Sequence, residues 1–277
     1  MARFVPSTKT TADRLADNSA LQWLGRFGDL CYGVVHVVVA VLALRVAFGK
    51  PASELDQRGA ITAIAAAPFG VVLLWVIAIG LLAFGVWQLL AAVVSYGWIR
   101  GKGRRIGRRI GVLGRAAAVI AVAVLILRLI FAVPTQSEST KQRDWTAQLL
   151  GLPGGQIVVV VVGLAVLAGA AVLGYRGVKK SFLADLDPRR LRGRTRAAVG
   201  WLGTCGFLAK GVAFAIVGVL AVVAGIRADP ARSGGLDTAL RALASQPYGD
   251  LLLAVVSLGL IGYGCYLAAE ARYRRSR

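Results

Sequence analysis

The chain has 277 residues, 57% of them hydrophobic, and a formal net charge of +20. That apolar content excludes an ordinary water-soluble domain. Long apolar runs broken by glycine and charge, without strand alternation, predict membrane-spanning helices whose backbone polar groups pair within each segment. The basic residues cluster in short segments between the apolar runs, so nucleic acid is not an expected partner. Cys31, Cys205 and Cys265 form no C-x-x-C pair and have no neighbouring histidine. They are expected to be small buried side chains, and no metal or cofactor is expected.

In chain order, residues 1–22 read as a polar tail, with an interfacial helix expected over Thr11–Leu24. The tail has no apolar core of the kind a cleaved signal carries, so the first span is expected to direct insertion. Repeat 1 covers 23–98. Its first span is expected over Gly28–Phe48, then a loop with a short surface helix near Ala60–Ala65. Pro68-Phe69-Gly70 then opens a second span over Val71–Ser95, proline being suited to a first helical turn. Tyr96 and Trp98 fit an interfacial belt. A basic link at 99–110 contains Arg104, Arg105, Arg108 and Arg109. Repeat 2 covers 111–178, with spans expected over Val112–Val133 and Gln156–Gly174 and a short amphipathic piece at Trp145–Leu150. A second basic link covers 179–200. Repeat 3 covers 201–270, with spans over Cys205–Ile226 and Leu251–Ala269 and a short helix near Leu236–Leu243; residues 271–277 are a basic tail.

The repeat rests on recurring motifs. Leu24-Gly25, Leu113-Gly114 and Leu202-Gly203 are spaced by 89 residues, and Pro-x-Gly precedes each even span at Pro68, Pro153 and Pro247. Copies one and three agree best: Gly28 and Gly33 match Gly206 and Gly211, and Gly80 and Gly85 match Gly259 and Gly264. The middle copy has lost several of these glycines. Two spans per repeat make all three copies point the same way. The fold class expected is therefore an all-α membrane protein, six transmembrane helices as three parallel two-helix repeats, pseudo-threefold about the membrane normal.

Of the 33 Lys and Arg, 23 flank the termini and the links between repeats, and seven lie in the loops within repeats. This bias predicts cytoplasmic termini in a bacterial plasma membrane. The G-x-x-x-x-G near the start of odd spans, the Pro-[Phe/Tyr]-Gly turn and the glycine-spaced even span resemble the DUF1206 family over residues 23–270. That family comprises bacterial membrane proteins of unknown function with a two-helix unit repeated three times. Its members often carry a basic residue before the second glycine; Lys210-Gly211 keeps it, whereas the first copy has Tyr32-Gly33. The resemblance implies architecture and compartment, and no chemistry.

Candidate site residues are few. His36, the one histidine, lies mid-span, where an ionisable group marks a functional hypothesis. Without partner ligands it is read as a neutral ring bonded to a neighbouring helix. Lys210 and Asp29 are placed near the cytoplasmic ends of their spans, either paired with each other or with Lys210 extended to the headgroups. Arg45 and Arg128 are expected to reach outward, Asp250 to suit a helix N-terminus, and Glu270 to be solvated among arginines. Arg104, Arg105, Arg108 and Arg109 are candidates for contact with anionic phospholipids, beyond their role in topology. Gly80, Gly85, Gly163, Gly169, Gly259, Gly262 and Gly264 are expected to line helix contacts. No carboxylate is expected deep in a span, which argues against ion-coupled transport, and no catalytic motif is visible. The leading reading is a non-catalytic structural or accessory membrane protein that engages lipids or a partner. The alternative is a transporter or channel for a small or amphipathic molecule along the threefold axis. A polar axial cavity would favour transport, and a lateral apolar groove would favour lipid binding.

Overall fold

A computed structural model describes residues 19–50, 54–94, 102–132 and 138–274. The tail at 1–18, Tyr96, Trp98 and the last three arginine-rich positions lie outside the described residues, as do the side chains of Arg104, Arg105, Arg108 and Arg109. The regular secondary structure of the described residues is all helical, with no strand. The helices are α1 (Ser19–Ala47), α2 (Gln57–Ala65), α3 (Gly70–Val94), α4 (Lys102–Ile130), α5 (Glu138–Leu150), α6 (Gly155–Val178), α7 (Gly193–Arg227), α8 (Leu236–Ala244) and α9 (Gly249–Tyr273). Six of them, α1, α3, α4, α6, α7 and α9, are long and apolar enough to cross a membrane. The short helices α2, α5 and α8 each join the two spans of one repeat, at what we call the hairpin end. The opposite end carries the links between repeats.

Several spans extend further than composition indicated. Helix α4 runs through the basic link, and α7 begins at Gly193, inside the second link. Arginine and lysine are good helix formers, so charge does not stop a helix where it leaves the hydrocarbon. The rest of the second link is also ordered: Ser181–Asp185 forms a 3-10 turn, and the Asp187 amide donates to the Tyr273 carbonyl at 2.8 Å, clamping the link to the end of α9.

The Pro-x-Gly turns have a cause different from the one expected. Proline sits two residues before the helix, not in its first turn. The middle residue takes the left-handed region, with φ of 59° at Phe69, 77° at Gly154 and 59° at Tyr248. The final glycine lies so close to a preceding carbonyl (Ile64, Leu149 and Ala244 respectively) that a Cβ would collide with it. Each turn reverses the chain from a short helix into a span.

The spans pack in a fixed order of neighbours: α6 on α7, α7 on α9, α9 on α1, α1 on α3 and α3 on α4. Glycines set these contacts. Gly33 and Gly264 face one another between α1 and α9, Gly163 and Gly218 do so between α6 and α7, and Gly85 receives Ile120 between α3 and α4. Among the described residues, α4 and α6, the two spans of the middle repeat, are not a packed pair. The expected threefold relation is therefore not established, because one hairpin in three is open.

The residues explain this opening. In repeat 1, Phe84 of α3 lies directly on Gly28 of α1; in repeat 3, Tyr263 of α9 lies on Gly206 of α7. By the repeat spacing, the corresponding middle-copy pair is Gly169 and Ala117. The aromatic wedge is missing from one helix and the glycine notch from the other. Both residues are exposed, and a Cβ on Gly169 would meet nothing within 4 Å. Gly80 and Gly259, which admit the partner span within repeats 1 and 3, likewise correspond to an exposed Ala165. Gly169 therefore does not line a helix contact, contrary to expectation, whereas the other six glycines named above do. Helix α6 meets α7 along a stripe that includes Gly163 and Gly177, buries only Gly155, Val159, Gly163, Ala170 and Gly177, and is elsewhere half-buried or exposed.

Candidate functional site

Two polar clusters lie inside the helix bundle, one above the other. The first, toward the link end, joins α1, α4 and α9. Asp29 is fully buried, and its carboxylate accepts from Arg115 Nη2 at 2.9 Å while Arg274 Nη2 lies 2.8 Å from its other oxygen. Glu270 is also buried and meets Arg274 at 2.9 Å and Arg115 at 3.4 Å. Two carboxylates are thus matched by two guanidiniums, the arrangement that buried charge requires. The guanidiniums also lie against ring faces: Arg115 is 5.3 Å from the Phe84 centroid and Arg274 is 4.7 Å from that of Trp87.

This network corrects two expectations. Asp29 does not pair with Lys210; two arginines take both of its oxygens. Glu270 is not solvated but is one of the four charges buried together. Both carboxylates lie about one turn from a span end, not deep in a span. Arg115 read as part of a basic link because it follows a run of arginines. The signal available was complementary: Asp29 and Glu270 each needed a cation, and the apolar surroundings of Arg115 left it with the same need.

The second cluster lies about 10 Å further in, seven residues along α1 at 1.5 Å per residue. His36 Nδ1 lies 2.9 Å from the Tyr32 carbonyl. A carbonyl only accepts, so Nδ1 carries the proton and Nε2 keeps its lone pair. That lone pair faces Lys210 Nζ at 3.4 Å. The Lys210 ammonium lies over the Tyr263 ring at 4.4 Å and near the Tyr32 ring at 5.5 Å. His36 also meets Tyr32 edge-on, with centroids 4.3 Å apart. His36 thus bonds a neighbouring helix as expected, and its partner there is a lysine. Lys210 Nζ is turned onto His36 and the Tyr263 ring inside the bundle and not along α7 toward headgroups, as the shorter span expected from sequence had allowed. Among the described residues no carboxylate lies within ion-pair distance of Lys210, and the two clusters together carry three cations against two carboxylates.

Lys210 and Phe214 share the face of α7 opposite its lipid-facing side, which carries Leu208, Val212 and Val219. That inner face is not sealed: Phe214 is 42% exposed. On α4, Ala117, Ala121 and Val124 are exposed, on the side of the helix away from Arg115. Of the remaining candidates, Arg45, Arg128 and Asp250 are exposed, and Cys31 is buried. Cys205 and Cys265 are exposed, contrary to the expectation that they are buried. At the hairpin end, Asp56 caps α2 by accepting from the Gly59 amide at 3.1 Å, and the Leu55 amide donates to Asp237 at 2.8 Å, tying repeat 1 to repeat 3. Burial raises the Asp56 carboxyl above the usual aspartate range; the Gly59 amide opposes this shift and the nearby Asp237 adds to it.

Fold and repeats together define a multi-pass helical membrane protein built from three copies of a two-span unit. The family model described as Domain of Unknown Function (DUF1206) matches residues 27–95, 110–180 and 205–274, one match per repeat. The chain belongs to the DUF1206 family. It is 31% identical over 255 residues to the protein described as "Uncharacterized protein YxxB" from Bacillus subtilis (strain 168), covering 91% of this chain and 92% of that one. No solved structure matches the chain.

Proposed function

We propose that this is a non-catalytic protein of the bacterial plasma membrane, with both termini cytoplasmic, that engages a lipid through the open side of its middle repeat. The observation carrying this reading is that α4 and α6 stand unpaired while the spans of repeats 1 and 3 are closed by an aromatic ring on a glycine. The missing wedge leaves a lateral entrance walled by alanine, valine and glycine, where an acyl chain finds apolar contact. The excess of Lys and Arg in the links supports cytoplasmic termini. The non-catalytic reading is supported by the carboxylates of the first cluster, which are committed to arginine and are not free as bases. A second reading, transport of a small or amphipathic molecule, is favoured by one observation, the Lys210–His36 contact at mid-helix depth inside the bundle.

Native mass spectrometry of the full chain, extracted gently from its own membrane, tests the lipid reading. It predicts a discrete adduct of one lipid per chain. The adduct should be lost when Ala117→Gly with Gly169→Phe restores the wedge and notch of the other repeats. A bare chain, or an adduct unchanged by that double substitution, would overturn the reading.

A further inference from the structure

The second cluster carries a more specific consequence, which rests on the lateral-opening reading above. We infer that Lys210 and His36 form a mid-membrane site for the carboxylate of a long-chain fatty acid, whose acyl chain leaves between α4 and α6.

Charge comes first. The Asp29, Glu270, Arg115 and Arg274 quartet balances, so among the described residues of these two clusters the Lys210 ammonium is the surplus cation. A cation at this depth is costly without an anion, and such groups mark ligand or ion positions. Its present partners are one imidazole lone pair, the Tyr32 side chain and the Tyr263 ring face. An ammonium has three N–H donors; His36 Nε2 takes one and the Tyr32 side chain another, leaving one for a carboxylate oxygen.

Depth selects the anion. His36, which Lys210 meets, lies 11 residues from either end of the Gly25–Ala47 span, and headgroups sit about 15 Å from the bilayer midplane. A phosphodiester stays ionised and remains with the headgroups. A carboxylic acid can bind a proton, cross the hydrocarbon uncharged and ionise beside a cation. Shape is consistent with a single chain. The exit runs past Phe214 on α7 toward the exposed side of α6 at Val158, Val162, Ala165 and Gly169.

The test uses the full chain in phosphatidylcholine vesicles and a diazirine-bearing stearic acid as the photoreactive probe. Oleate and oleyl alcohol compete at equal membrane mole fraction. Adducts are expected on the peptides around Ala121 and Gly169, with oleate competing about tenfold or more better than the alcohol, the scale of one charge-assisted hydrogen bond. Lys210→Gln should remove that preference while the alcohol still competes, which also reports that the variant is folded. His36→Gln should weaken it less, and Lys210→Arg should keep it. Adducts in the opening with oleate and the alcohol equal in the wild-type chain would overturn the carboxylate site and leave the lateral opening standing. The absence of adducts there would overturn both.

Discussion

Arg115→Gln is the most informative single perturbation of the charged network. It removes the guanidinium that joins α4 to Asp29 of α1 and Glu270 of α9, at 2.9 and 3.4 Å. Arg274 is then left alone between two buried carboxylates. Removing one partner of a buried ion pair costs about 3–5 kcal/mol, because the remaining charge keeps its desolvation penalty without its attraction. The Arg115 side chain is 27% exposed, so the lower part of that range, about 3 kcal/mol, is expected. Pairing the change with Asp29→Asn removes one surplus negative charge, leaves Arg274 and Glu270 as a balanced pair, and should recover about 1–3 kcal/mol as coupling. The assay is reversible unfolding of the full chain in mixed micelles, for the two single variants and the double variant. A cost for Arg115→Gln below about 1 kcal/mol, or a coupling near zero, would refute the claim that these four groups form one buried network.

Other outcomes follow from individual contacts. Gly206→Ala places a Cβ 2.5 Å from the Tyr263 Cα and should separate α7 from α9, whereas Gly169→Ala, which meets nothing within 4 Å, should be neutral; the same unfolding assay reads both. The raised Asp56 carboxyl means that the folded hairpin end binds a proton more tightly than the unfolded chain. Protection of the α2 amides should therefore fall as pH rises through the window that starts at the ordinary aspartate value of 3.8. Asp56→Asn keeps the cap and should abolish that trend in hydrogen exchange, and protection that rises with pH would show the opposite sign.

Much of the architecture is legible in the sequence because length and hydropathy define spans directly. All six spans and the three short helices are visible that way, and the Pro-x-Gly turns mark where each even span starts. What was not legible is the rotation of each span and its choice of neighbour. In water an amphipathic stripe reveals the buried face. In a bilayer the lipid side and the protein side are equally apolar, so α6 and α9 look alike although one is exposed on most sides and the other packs on α1, α7 and α8. The clusters were hidden for a related reason. His36 and Lys210 stood out singly, but their contact across 174 residues needed the packing of α1, α7 and α9. The loss of glycines in the middle copy was the one visible sign of the open hairpin. Its meaning emerges only when Gly169 and Ala117 are set beside Phe84 on Gly28 and Tyr263 on Gly206.

The open middle repeat is the central claim, and its most direct test is the accessibility of a nitroxide at Ala121 to oxygen dissolved in the bilayer. The label is placed in the full chain, reconstituted in vesicles, and compared with labels at Val212 on the outer face of α7 and at Ala43, which is fully buried in α1. An open α4–α6 side predicts that Ala121 matches Val212, with low accessibility to a water-soluble nickel complex. Accessibility at Ala121 as low as at Ala43 would mean that α4 and α6 close on one another, and would contradict the lateral opening.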